Sequence, residues 1–185
     1  MTLRPPIIVD SSVAIAIVRN EPGAEALRVA VDQWTILGRP LLVPSIFWLE
    51  VVNTFARRHR YRGLDVLHAV HVLDELTITT VESDRAQVLK AIDLVERFGL
   101  TAYDASYLAL AHLYGGDIAT LDLELVRAAG ARAIVLDGRR RLSGASTPYE
   151  HDVTWPNYKG ASAYLATLRA EAREAAAGRD VQSGG

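Results

Sequence analysis

A chain of 185 residues, half of them hydrophobic and 23% charged, has enough apolar content to bury the core of a single domain and is globular rather than disordered in composition. A net charge of -2 provides no global positive field for nucleic acid, so any such contact falls to local patches. With no cysteine, disulfides, thiolate zinc sites and cysteine nucleophiles are excluded.

The opening "MTLRPPIIVDSS" carries an apolar run too short for a signal peptide. No later stretch approaches the roughly 18 uninterrupted apolar residues of a membrane span, so a soluble, cytoplasmic protein is expected. "PIIVDSS" predicts a short buried strand, and "VAIAIVRNEPGAEALRVAVDQW" predicts two helical pieces broken at Asn20-Glu21-Pro22-Gly23. "PLLVPS" predicts a second strand. Pro44 and Ser45 then open a long helix running to about Arg60, with Ser45 as its cap. "GLDVLHAVHVLDEL" is helical by its Leu and Val spacing, and "TITTV" is a strand by β-branched content. Residues 83–98 form a helix from a Ser cap to Gly99, and "LTAYDASYLALAHLY", residues 100–114, forms the next. A strand in "GGDIATLD", a short helix over 123–129 and a last strand in "ARAIVLD" complete the series.

Short, almost wholly apolar strands alternating with helices predict an α/β fold whose parallel sheet is covered on both faces. After Asp137 the texture is different. "GRRRLSGASTPYEHDVTWPNYKG" is polar and turn-rich, and "ASAYLATLRAEAREAAA" is an Ala-rich helix with a thin apolar stripe at Tyr164, Leu165 and Leu168. The expected organisation is one domain over 1–137 and an irregular and helical C-terminal extension over 138–185 that is not an independent domain.

Asp10 directly follows the first strand and Asp122 directly follows "DIATL". In an open parallel sheet ligands bind beyond the carboxyl ends of the strands, so both acids can face one crevice; each can equally cap the next helix. Asp104 has the same double reading, because Thr101 three residues earlier makes a capping-box pattern near the positive end of a helix. Glu50 lies among Ile46, Phe47, Trp48, Leu49, Val51, Val52 and Phe55, in a helix apolar nearly all round and therefore expected to be buried. Its polar neighbours Asn53 and Arg57 fall on the same face at helical spacing, and a buried carboxylate needs partners. A narrow solvent-facing stripe is the alternative. If Asp10, Glu50, Asp104 and Asp122 converge, like charges 4 Å apart repel by roughly 4 kcal/mol at an effective dielectric near 20. A divalent cation relieves that repulsion, and oxygen donors without Cys or a nearby His select Mg²⁺ or Mn²⁺ over zinc. Such an ion activates water and neutralises phosphate, which is the chemistry of phosphodiester hydrolysis.

The stretches "IIVDSSVAIAIVRNEPGAEAL", "VPSIFWLEVVNTFARR" and "LTAYDASYLALAHLYGGDIATLDLELVRAAG" resemble the PIN domain, and within it the VapC-type ribonuclease toxins. The resemblance runs in order through about residues 6–136. It implies a three-layer α/β/α domain with a central, mostly parallel five-stranded sheet. It also implies a metal-dependent endoribonuclease whose four acids fall on Asp10, Glu50, Asp104 and Asp122, with Ser11, Ser12, Asn53 and Thr120 as supporting polar groups. Mg²⁺ or Mn²⁺ as cofactor, an RNA substrate (tRNA, rRNA or mRNA), a cognate VapB-like antitoxin and a homodimer follow from the same likeness. The extension beyond the last strand departs from the family pattern.

"ARRHRYRG" concentrates positive charge, so Arg57, Arg58 and Arg60 are candidate RNA-phosphate contacts; a solvated helix end is the plainer reading. His68 and His71, three apart on a helix with no third ligand in view, are expected to be surface histidines. No G-x-S-x-G, P-loop or G-x-G-x-x-G motif occurs, and Ser-Ser after Asp10 argues against an aspartyl-nucleophile phosphatase. Two rival readings stand beside the toxin: a catalytically silent PIN-like binding module, and a housekeeping RNA- or DNA-processing nuclease without an antitoxin.

Overall fold

In the computed structural model of the chain, which describes residues 4–135, five short strands form one sheet in the order β3-β2-β1-β4-β5. They are β1 (Ile7–Val9), β2 (Leu41–Pro44), β3 (Thr79–Val81), β4 (Asp117–Thr120) and β5 (Ala133–Val135). Every neighbouring pair is parallel, with Ile8 opposite both Leu42 and Ile118. The predicted C-terminal extension lies outside the described residues.

The connections are α1 (Ser11–Val18) and α2 (Ala24–Ile36), then α3 (Ile46–Asn53) and α4 (Gly63–Asp74), then α5 (Arg85–Phe98) and α6 (Ala102–Tyr114), and last α7 (Leu123–Ala129). Parallel crossovers are right-handed, so the connections moving from β1 towards β3 and those moving back towards β5 fall on opposite faces. The packing agrees. Helix α1 contacts α2, α3 and α4, whereas α6 lies across β1, β2 and β4 with α5 and α7 beside it. This is the expected three-layer arrangement, and it explains the uniformly apolar strands: Ile7, Ile8, Val9, Leu41, Leu42 and Val43 are buried because both faces are covered. Each fully buried Ile or Leu contributes about 1.5–3 kcal/mol relative to an exposed one.

Two close approaches fix the middle of the sheet. A Cβ on Gly116 would stand 2.8 Å from the Pro6 carbonyl oxygen, so only glycine lets the run into β4 pass the run into β1. Arg39 spans the same edge, its Nε donating to the Pro5 carbonyl at 2.8 Å and its Nη2 to Asp117 Oδ2 at 2.5 Å.

Three local expectations are corrected. Ser45 does not cap its helix; its backbone is already helical and its side chain makes no cap bond. Helix α5 is capped by Asp84, whose Oδ1 accepts from the Gln87 N–H at 2.8 Å, rather than by Ser83. The long helix expected from Pro44 to about Arg60 ends as an α-helix at Asn53 and continues as a π-helical turn, Thr54–Arg58. Nor is it buried all round. Phe47, Val51 and Phe55, four residues apart, form one narrow buried stripe, while Leu49 and Val52 are exposed. The apolar composition described a helix with one face in the core and a second apolar face outside it.

Candidate active site

Strand β1 leads to β2 on one side and β4 leads to β5 on the other, so the order of the sheet reverses between β1 and β4. In open α/β sheets such a reversal leaves a crevice beyond the carboxyl ends of the two strands. Asp10 and Thr120 stand at those two ends. The Thr120 hydroxyl donates to Asp10 Oδ2 at 2.7 Å, joining positions 110 residues apart, and the Asp10 N–H donates to the Ala119 carbonyl at 2.9 Å. Ser12, in the first turn of α1, also donates to Asp10 Oδ2 and accepts from the Leu121 N–H at 3.0 Å. Asp10 is thus buried, at 4% exposure, within a ring of hydroxyls.

Burial pushes the Asp10 carboxyl above its ordinary value. The Ser12 and Thr120 bonds pull it back, and the negative charge of Asp104 pushes it up again. Glu50, half-buried on α3, behaves alike. Burial raises it, the hydroxyl donated by Tyr107 lowers it, and the charges of Asp10 and Asp104 raise it. The structure therefore brings three of the four predicted acids, Asp10, Glu50 and Asp104, into one electrostatic neighbourhood. Among the described residues none of the three is in an ion pair.

Asp104 is held in place by the cap of α6. Its N–H donates to Thr101 Oγ1 at 3.1 Å, and the Thr101 hydroxyl donates back to Asp104 Oδ2 at 2.6 Å. In the capping-box pattern the carboxylate takes the backbone N–H of the cap residue; here it takes the hydroxyl instead. Asp122 is placed differently. It is exposed and caps α7, its Oδ1 accepting from the Glu124 N–H at 2.7 Å and the Leu125 N–H at 3.1 Å. Its own N–H donates to Thr120 Oγ1 at 3.0 Å, which ties it to the hydroxyl ring around Asp10. The capping reading thus holds for Asp104 and Asp122.

The supporting residues divide. Ser12 and Thr120 bond Asp10, and the Ser11 side chain acts on both Glu50 and Tyr107. Asn53 is exposed at the end of α3 and stands outside this network. Arg57 lies in the π-helical turn that begins just beyond Asn53, and like Asn53 it is exposed. Arg57, Arg58 and Arg60 are exposed and, among the described residues, in no ion pair. Beside them Tyr61 stacks on buried Phe55, with ring centroids 5.1 Å apart and planes 28° apart. Arg60, like Asn20 and Thr77, has a left-handed backbone (φ 56°), a conformation uncommon for a non-glycine residue. His68 and His71 are exposed on α4.

Sequence reasoning missed Tyr107. Its ring is fully buried while its hydroxyl donates to Glu50. The signal was present: a tyrosine three residues after Asp104, inside an apolar helix, needs a partner for its hydroxyl, and one side of that helix already carried an acid.

The donor set fits a hard divalent cation by its chemistry: carboxylate oxygens only, mutually repelling, with two of the acids raised by burial. Among the described residues, however, no three His, Asp or Glu side chains already stand as a metal cage. Each carboxylate is engaged by a hydroxyl, Asp10 by Ser12 and Thr120, Glu50 by Tyr107, and Asp104 by Thr101.

Comparison with known proteins agrees with this architecture. The PIN domain family model matches residues 7–131. Ribonuclease VapC3 of Pyrobaculum aerophilum is 32% identical over 123 residues, covering 64% of this chain and 91% of that protein. Two solved structures share the fold at lower identity. A chain of a toxin–antitoxin complex from Klebsiella pneumoniae is 17% identical with a TM-score of 0.55, covering 71% of this chain and 98% of its own. VapC20 of Mycobacterium tuberculosis, a sarcin-ricin loop cleaving toxin, is 14% identical with a TM-score of 0.53, covering 66% and 94%. A parallel sheet with Asp10 seated at its topological reversal, and a family match across nearly all of the described residues, lead to one conclusion: the chain belongs to the PIN domain family, as a VapC-type member.

Proposed function

We propose that this chain is a metal-dependent endoribonuclease, the toxin of a type II toxin–antitoxin pair. The observation that carries the reading is the grouping of Asp10, Glu50 and Asp104: burial and neighbouring negative charge make Asp10 and Glu50 costly to ionise, and among the described residues no cation is paired to any of the three. Residues of this kind are retained against stability when chemistry needs them. Asp10, Glu50 and Asp104, with Asp122 at the rim, would hold Mg²⁺ or Mn²⁺. When bound, the ion lowers the pKa of a water and offsets charge on a scissile phosphate. The chain's own residues do the rest. Ser12 and Thr120 orient Asp10, Thr101 orients Asp104, and Ser11 supports Glu50. Asn53 at the end of α3 faces the approaching RNA, and Arg57, Arg58 and Arg60 hold its phosphates beside the exposed edge of Tyr61. The relatives, which include a ribonuclease, a chain of a toxin–antitoxin complex and a sarcin-ricin loop cleaving toxin, support RNA as substrate and an antitoxin as partner. In this reading the protein works in the cytoplasm as a homodimer, silenced by a cognate VapB-like antitoxin.

The test is cleavage of a pool of tRNA, rRNA and mRNA by the purified full chain with Mg²⁺ or Mn²⁺. Discrete cuts that vanish with EDTA and with Asp104→Asn are expected. Because the carboxylates are not gathered into a ready-made cage, a silent binding module is the second reading. RNA binding in the absence of any metal-dependent cut would favour it and overturn the nuclease.

A further inference from the structure

We propose that Tyr107 is a positioning residue whose buried hydroxyl aims the Glu50 carboxylate at Asp10 and Asp104, and thereby sets the affinity of this pocket for a divalent cation. The inference rests on the metal-dependent reading above and names a residue which that reading leaves unused.

The geometry is specific. Tyr107 is wholly buried on α6, one turn after Asp104, in a run where Leu108, Leu110 and Ala111 are buried as well. A phenylalanine would fill the same space without a polar atom to satisfy. A buried phenol is tolerated only with a partner, and its partner is Glu50 on α3, 57 residues away in sequence. A hydroxyl donating to a carboxylate makes a charge-assisted hydrogen bond, among the stronger and more directional kinds. It restricts the long, flexible Glu side chain, which would otherwise sweep outward from a helix whose adjacent Leu49 is exposed. The side chain of Ser11, the residue after Asp10, acts on the same two groups. Partners of this type, which orient a metal ligand without touching the metal, typically change affinity 10–100-fold when removed.

The experiment is a calorimetric titration of Mn²⁺ into metal-free full chain: parent, Tyr107→Phe, Glu50→Gln and the double variant, each checked by thermal melting. Tyr107→Phe is expected to weaken Mn²⁺ binding about 10–100-fold with the fold intact. In the double variant the loss should equal that of Glu50→Gln alone, since the hydroxyl acts only through Glu50. Cleavage by Tyr107→Phe should recover at excess Mn²⁺ with KM for RNA unchanged, which a purely packing role would not produce. Should Tyr107→Phe fail to fold, Tyr107→Met removes the hydroxyl with a more adaptable side chain in the same buried space, and the same weakening is expected. Unchanged or tighter Mn²⁺ binding in Tyr107→Phe, or additive losses in the double variant, would overturn the inference while leaving the nuclease reading intact. Absence of Mn²⁺ binding in the parent would overturn both.

Discussion

Replacing His112 by glutamine tests whether the interface between α5 and α6 holds a neutral imidazole. His112 lies half-buried on α6. Burial, and after it the charges of Arg132, Lys90 and Arg97, push its pKa down from 6.5 to about 4, while Asp93 works the other way. In the unfolded chain the imidazole titrates near its ordinary 6.5. A base with a depressed folded-state pKa supports stability fully above the unfolded value. That support is lost as pH falls from about 6.5 to about 4, because protons then bind the unfolded chain first. The gap would be worth about 3.4 kcal/mol at 1.36 kcal/mol per pH unit for a fully enclosed group. Solvent screening at a half-exposed position lowers this to about 1.5–2 kcal/mol. At roughly 4 °C per kcal/mol for a domain of this size, the parent's Tm should fall about 6–8 °C more than that of His112→Gln between pH 7 and pH 4. Circular-dichroism melts in EDTA at constant ionic strength measure it. Asp10 and Glu50 titrate in both proteins and cancel in the difference. Parallel pH curves for the two proteins would refute the reasoning, and would mean that His112 is protonated in the fold or fully solvated.

Two further substitutions separate chemistry from structure. Asp10→Asn keeps acceptors for Ser12 and Thr120 but removes a buried, unpaired charge, so at pH 7 in EDTA it should raise stability by about 1–3 kcal/mol while abolishing cleavage. A melting temperature below the parent's would show that the charge is already compensated. Asp122→Asn keeps the cap on the Glu124 and Leu125 amides and should stay within about 0.5 kcal/mol of the parent, whereas Asp122→Ala should lose about 1 kcal/mol. If cleavage survives in Asp122→Asn, this acid is only a cap.

Strands β1 and β2 were legible because doubly covered parallel strands leave almost no polar residue to blur the signal; "IIV" and "LLVP", and likewise "DIAT" with its buried Ile118 and Ala119, stand within 2 residues of where their composition points. Their all-parallel arrangement follows from the same burial. Asp10, Glu50 and Asp104 were readable because an acid at a strand end or in an apolar helix conflicts with local rules, and such conflicts concentrate at sites. The misreadings have a common origin. Ser45, Ser83 and the extent of α3 depend on which backbone groups are free and which face meets the core, and composition does not encode either. Tyr107 escaped notice because in an apolar helix it satisfies the core pattern, and only its partner on another helix discloses the hydroxyl's use.

The bond between Thr120 and Asp10 has a consequence for synthesis. The central strand of the sheet is the first to be made, yet one of its two flanking partners is β4, more than 100 residues downstream. Contacts of such long sequence separation form late, since loop closure precedes their reward. A nascent chain emerging from the ribosome therefore carries Asp10 long before it has the hydroxyl that seats it, and Asp104 and Asp122 also arrive in the second half. Under the proposed reading, the nuclease site is assembled only when the domain is nearly complete.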